Sequence, residues 1–253
     1  MTNIRLIQHQ YPNLSLPEMI CDTPISKYLN RDLLLKNMNK SFCCGLIGKS
    51  GSGKTSLLTG LIQTKNNKKT NTFTFNDCFD KIYVFMPSTS RASIKNNIFG
   101  ELPEDQLYEG LNFDILSEVY EKLLQSSKEK ERSLLILDDV QSYYKDPEVE
   151  KNLLHLINNR RHLKISIFII AQNYTKIGRQ IRMALTDLFV FNVSKEQYAD
   201  ISDELVNIDK KLFEEVLKMY KTYVKTSPKS FLYFNVDIGD FFIDWNEIQI
   251  NDE

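Results

Sequence analysis

An α/β fold with a mostly parallel sheet covered by helices on both faces is predicted by two observations. Short, continuous apolar runs alternate along the chain with segments whose apolar residues recur at helical spacing. A glycine-rich turn joins the first apolar run to the first such helix, the strand–loop–helix order of a phosphate-binding unit.

Each element has its own reason. Residues 1–40 carry Pro12, Pro17 and Pro24 among mixed residues, with a helical pattern over 25–37. They read as an extension packed on a main domain of 41–253. Residues 42–48 are an apolar run ending in glycine, and 54–63 place Leu57, Leu58, Leu61 and Ile62 at helical spacing. Residues 80–86, β-branched and aromatic and closed by Pro87, give a second strand. After a long polar stretch, 114–128 set Ile115, Leu116, Val119, Leu123 and Leu124 on one helical face. The third strand, 133–137, runs into Asp138 and Asp139. Pro147 suits the first position of a helix carrying Val149, Leu153, Leu154, Leu156 and Ile157. A fourth strand (165–171), a basic segment and a fifth strand (187–193) follow. Helices over 195–205 and 210–220 and strands over 230–236 and 241–250 close the chain. There is no internal repeat, and the basic patch 65–71 reads as a solvated loop.

With 253 residues, 42% hydrophobic and 26% charged, and only 9 Gly and 7 Pro, the composition is that of a folded domain with an ample core. The 32 Lys+Arg nearly cancel the 33 Asp+Glu, so no global basic field attracts nucleic acid; any such contact is local or made by assembly. The first 14 residues have no apolar block of signal-peptide length, and no apolar run approaches a membrane span, so a cytoplasmic or intraparticle location is expected. Cys21, Cys43, Cys44 and Cys78 form no C-x-x-C pair, and His9, His155 and His162 stand at unrelated spacings, which supports neither a disulfide framework nor a zinc site. Adjacent Cys43 and Cys44 suit a buried strand.

The residues that carry chemistry begin at Gly48-Lys49-Ser50-Gly51-Ser52-Gly53-Lys54-Thr55, a full match to G-x-x-x-x-G-K-[ST] after a strand and opening a helix. Glycines let backbone N–H groups turn inward around phosphates, and the helix N-terminus, reaching to Ser56, adds its dipole. Lys54 is placed for the β- and γ-phosphates and the Thr55 hydroxyl for Mg²⁺. Asp138, at the end of an apolar strand, completes this as the Walker B carboxylate on Mg²⁺, and Asp139 is positioned to polarise an attacking water. If the fourth strand inserts between the P-loop and Walker B strands, the additional-strand arrangement, Gln172 sits at the same sheet edge and senses the γ-phosphate. Arginine is scarce, yet Arg160, Arg161, Arg179 and Arg182 crowd around that strand. Arginine stabilises charge on a transferring phosphoryl group, often from another subunit. Plainer readings stand beside these: Asp139 as a cap, Gln172 as a turn residue, single arginines as surface contacts. No N-K-x-D segment reads guanine, which favours ATP, and no L-S-G-G-Q stretch marks a transporter-type ATPase.

Four blocks resemble the viral genome-packaging ATPases of the FtsK/HerA superfamily, the poxvirus-type packaging ATPase of large DNA viruses and virophages. They are GKSGSGKT at 48–55, LLILDD at 134–139, RRHLKISIFIIAQN at 160–173 and IGRQIRMALTDLFVFN at 177–192; the C-terminal SFLYFNVDIGDFFIDWNEI is similar in character. The Walker blocks are generic, so the specificity lies in the third and fourth. One departure is that Asn159 stands where the family often has Gly before its Arg-His pair. The resemblance implies a RecA-like core in a ring, expected to be hexameric, that uses ATP and Mg²⁺ to pull double-stranded DNA into a preformed capsid. The partners expected are therefore DNA, a capsid or portal protein and further copies of the chain, with no membrane span. The trans-acting arginine falls among Arg160, Arg161 and Arg182. The alternatives are a nucleotide-dependent switch or scaffold and another P-loop ATPase such as a helicase loader.

Overall fold

The computed structural model describes Met38 and residues 41–65, 74–94, 98–206 and 208–249. The extension 1–40, apart from Met38, lies outside the described residues, as do most of the basic patch 65–71 and the end of the last expected strand.

Among the described residues nine strands form one sheet. In chain order they are β1 (Cys43–Ile47), β2 (Lys81–Phe85), β3 (Leu107–Tyr108), β4 (Ser133–Asp138), β5 (Ile165–Ala171), β6 (Asp187–Phe191), β7 (Phe231–Asn235), β8 (Phe241–Ile243) and β9 (Asn246–Ile248). Their spatial order is β3-β2-β4-β5-β1-β6-β7-β8-β9. The first six are parallel and the last three antiparallel. The strand β5 pairs with both β1 and β4, as the additional-strand arrangement requires.

The helices are α1 (Lys54–Gln63), α2 (Ser88–Ala92), α3 (Phe113–Lys128), α4 (Pro147–Asn159), α5 (Arg179–Arg182), α6 (Lys195–Leu205) and α7 (Lys210–Thr226). Strand side chains alternate between two cores. Cys44, Leu46, Leu134, Ile136, Phe168 and Ile170 face α1 through Leu58, Leu61 and Ile62. Cys43, Ile47, Leu135, Leu137, Ile167 and Ile169 face α3, α4, α6 and α7. Being buried on both sides, the parallel strands need no polar alternation, which is why they read as continuous apolar runs. Both Cys43 and Cys44 are fully buried, as expected of strand residues.

The sequence expectations fail in three places. The strand expected over 241–250 is a hairpin, β8 turning into β9 at Asp244, whose φ of 52° is left-handed. The Asp244 carboxylate fixes that turn by accepting from Ser230 Oγ at 2.9 Å and the Phe231 N–H at 3.1 Å. The polar stretch after β2 contains α2 and β3, too short to show a period. The last helix, α7, continues past 220 to Thr226, because Val224 extends its apolar stripe onto the core.

Candidate active site

Helix caps distinguish α1 from the other helices of ten or more residues. Asn112, Asp146, Ser194 and Asp209 each accept a backbone N–H at the starts of α3, α4, α6 and α7. No side chain caps α1 and no acid lies in its first turn, so its leading N–H groups are left for an outside anion. The residue before it, Gly53, has φ 109°, and Gly51 has φ 74°, conformations that side-chain-bearing residues rarely adopt. A side chain at Gly48 would put its Cβ 2.7 Å from the Phe191 Cβ and 2.8 Å from the Ser52 hydroxyl, which is buried and unpartnered. The loop from Gly48 through Lys49 and Ser50 is thus pressed against β6, and its backbone faces the cleft above α1.

Lys54 is buried, and its ammonium donates to Gly48 O at 2.7 Å and Lys49 O at 2.9 Å. Burial pulls its pKa down, and the charges of Asp138 and Asp139 oppose this. Strand alternation puts Asp138 on the same face as Leu134 and Ile136, the face that α1 covers. There the Thr55 hydroxyl donates to Asp138 Oδ2 at 3.2 Å. Burial pushes the Asp138 carboxyl up to about 6, while the Thr55 hydrogen bond and the Lys54 charge pull it down. Thr55 and Asp138 are two hard oxygen donors, and no cluster of three or more His, Cys, Asp or Glu exists among the described residues. That donor set fits Mg²⁺, which takes one or two protein oxygens and completes its octahedron with water and phosphate.

Asp139 follows in a left-handed conformation, φ 58°, that Asp tolerates better than most residues, and it is exposed at the cleft. From the end of β5, Gln172 Nε2 donates to Asp139 Oδ1 at 3.3 Å. The main-chain N–H of Gln172 donates to Gln141 Oε1, also at 3.3 Å. Lys54, Thr55, Asp138, Asp139 and Gln172 line a cleft of about 500 Å³ together with Ser56, Ser90 and Ser93. The P-loop, both aspartates and Gln172 therefore meet at one sheet edge, outside the carboxyl ends of parallel strands, where open α/β sheets bind ligands. Sequence reasoning missed Gln141, Ser90 and Ser93, which carry no spacing signal; only their places after β4 and β2 mark them.

The arginines lie elsewhere. Arg160 ends α4 at the opposite sheet edge, where its Nε donates to Ser41 O and its Nη1 to Ile157 O, both at 3.1 Å. Arg161, beside it, is exposed. Arg182 is buried: its Nε and Nη2 donate to the two Glu204 carboxylate oxygens at 2.7 and 2.6 Å, and its Nη1 donates to Ile177 O at 2.6 Å. Its guanidinium also stacks 4.9 Å from the Tyr174 ring centroid. Arg182 is thus held by Glu204 and Ile177 of its own chain.

The chain is similar in structure to B204, the DNA-packaging ATPase from Sulfolobus Turreted Icosahedral Virus, with a TM-score of 0.55 at 16% identity over 83% of this chain and 98% of that one. The genome packaging NTPase B204 from Sulfolobus turreted icosahedral virus 2, in complex with ATP-gammaS, superimposes with a TM-score of 0.50 at 13% identity, covering 82% and 98% of the two chains. The cytoplasmic domain of the Thermomonospora curvata type VII secretion ATPase EccC gives 0.50 at 12% identity, over 85% of this chain and 24% of that one. At these identities the likeness is one of fold. No curated protein matches the chain. The family model described as Poxvirus A32 protein matches residues 27–235, well over half of the sequence. With its P-loop, its Walker B aspartate and the additional strand between them, the chain is a P-loop ATPase that belongs to the Poxvirus A32 family of viral packaging ATPases.

Proposed function

We propose that the protein is the motor subunit of a ring, hexameric by the family resemblance, that hydrolyses ATP to move double-stranded DNA into a viral capsid. The observation that carries this reading is the meeting of Lys54, Thr55, Asp138, Asp139 and Gln172 along one cleft, in a chain of this family. The P-loop N–H groups from Gly48 to Ser56 and the Lys54 ammonium hold the triphosphate. Thr55 and Asp138 would hold a magnesium ion, which would supply charge neutralisation on the triphosphate. Asp139 accepts the proton of the attacking water, and Gln172, tied to Asp139, positions that water and registers loss of the γ-phosphate. With Arg182 anchored internally, the charge supplied in trans falls to Arg160 or Arg161, at the sheet edge remote from their own subunit's cleft. Near-zero net charge suits such a motor, because a few phosphate contacts per subunit around a pore suffice to grip DNA without reading sequence. No described helix is long and apolar enough to cross a membrane. Action on DNA and a capsid or portal partner places the protein in the host cytoplasm or the virion.

The test is steady-state ATP hydrolysis with and without long double-stranded DNA across protein concentration, with Asp139→Asn as control. Turnover that rises with DNA and with assembly is expected. Slow turnover indifferent to both would replace the motor with a nucleotide-gated scaffold.

A further inference from the structure

The P-loop fixes one end of a nucleotide and leaves the other unassigned. Asp138, Asp139 and Gln172 stand at the ends of β4 and β5, on one side of β1, so the γ-phosphate lies there. The ribose and base must then extend the opposite way, over Gly53 toward β6, β7 and β8.

An aromatic row lies along that path. Phe191 packs beneath the P-loop, its Cε1 3.5 Å from where a Gly53 Cβ would be, and the Lys229 Cβ lies 4.0 Å from the same point. Phe191 pairs with Phe231 across β6 and β7, the ring centroids 5.8 Å apart. Trp245 stands edge-on to Phe231 at 5.0 Å and to Phe189 at 6.2 Å, both with interplanar angles near a right angle (74° and 73°). Because β8 runs antiparallel to β7, with Ile243 opposite Leu232, the turn carrying Trp245 falls at the same sheet edge as the P-loop. Three strand spacings, about 14 Å, separate β8 from β1. The neighbours Phe189 and Phe231 are buried, yet Trp245 leaves 46% of its surface exposed. The hydrogen bonds of Asp244 to Ser230 and Phe231 hold the turn, and hence the indole, in place.

We propose that Trp245 is the platform on which the base of the bound nucleotide stacks, with Lys229 flanking the sugar and α-phosphate between platform and P-loop. The inference rests on nucleotide occupancy of the P-loop and adds a second anchor to it. Stacking uses the π-face that every base has, so the platform gives affinity without choosing the base. ATP and GTP bind alike through it, and a bare tripolyphosphate gains nothing from it.

Trp245 is the sole tryptophan of the 253-residue sequence, so intrinsic emission reports the platform directly. Calorimetric titrations of wild type, Trp245→Ala and Trp245→Phe with ATP and with tripolyphosphate, alongside tryptophan emission of the wild type, provide the test. Trp245→Ala is expected to weaken ATP binding roughly 10-fold or more while leaving tripolyphosphate affinity unchanged, which also shows that its P-loop is folded. Trp245→Phe should recover most of the ATP affinity, and emission should shift with ATP and GTP but not with tripolyphosphate. Unchanged ATP affinity in Trp245→Ala, or equal emission shifts with tripolyphosphate, overturns the platform. Absence of calorimetric ATP binding in the wild type overturns instead the nucleotide reading of the P-loop on which it rests.

Discussion

The Thr55 hydroxyl donates to Asp138 Oδ2 at 3.2 Å across 83 residues of sequence, joining the first turn of α1 to the end of β4. Parallel pairing through β5 sets this distance, since β5 holds β1 and β4 at a fixed register. The neutral isostere Asp138→Asn keeps the hydroxyl contact and relieves the burial of a charge, so the fold should keep its melting temperature. Turnover at saturating Mg²⁺ and ATP should fall by about 100-fold or more, as losing an electrostatic contact made in the transition state does. A chelator should abolish wild-type turnover while leaving the melting temperature without nucleotide unchanged. Near-wild-type turnover of the variant would remove Asp138 from the metal site.

The contact between Gln172 and Asp139 separates binding from chemistry. Neither side chain belongs to the P-loop cradle, so Asp139→Asn and Gln172→Ala should bind ATP with wild-type affinity. The first should lose about 100-fold to 10,000-fold in kcat, the range for a general base, and the second about tenfold, one hydrogen bond's worth. Single-turnover hydrolysis beside a binding titration reads both; a loss confined to affinity would place these residues in binding alone.

How legible the site was depends on the kind of signal each residue carries. Lys54, Thr55 and Asp138 were readable because fixed spacing and strand ends mark them, and two-sided burial makes the strands that present them unmistakable. Gln172 was readable only once β5 was taken to lie between β1 and β4. Ser90 and Ser93 follow a strand through a five-residue helix too short for a period, so nothing local ties them to the cleft. Trp245 could not be placed because 241–250 passes for one strand; the left-handed Asp244 that splits it is held by contacts with β7, a tertiary effect. Arg182 shows the converse, a basic residue in a suggestive place whose partner, Glu204, lies 22 positions on and gives no sign of the pairing in sequence.

Asp187 gives a pH-dependent stability. It is fully buried and accepts from Thr186 Oγ1 and Tyr233 OH, each at 2.7 Å, and from Asn235 Nδ2 at 3.1 Å. Burial outweighs these donors and raises its pKa to about 6. An unfolded Asp titrates near about 3.9, so between about pH 4 and 6 the folded state holds the extra proton. Its contribution is therefore largest below that window and declines as pH rises through it, by an amount on the order of 3 kcal/mol, then levels off. Urea unfolding at pH 4.5 and 7.5 should show Asp187→Asn gaining on the wild type at the higher pH. Parallel pH dependence of the two would mean that Asp187 does not titrate in this window.

The trans-acting arginine separates into a structural and a functional case. Arg182→Ala removes the hydrogen bonds to Glu204 and Ile177 and leaves the part-buried Glu204 with only Arg179 at 3.7 Å and the Tyr174 hydroxyl, so it should lower the melting temperature along with activity. Arg161 is exposed, so Arg161→Ala should leave the melting temperature near wild type and reduce only the turnover of the assembled protein. Mixing decides between a role in the residue's own cleft and one in a neighbour's. An Arg161→Ala subunit keeps its own Asp139, and an Asp139→Asn subunit keeps its Arg161. Where the two meet in the right order, a complete site forms, and a mixture of two inactive proteins should recover part of the wild-type turnover. Recovery requires that the arginine act across the boundary, because neither subunit alone holds both groups. A mixture as inactive as its components, with Arg160→Ala giving the same result, would exclude both residues as the finger.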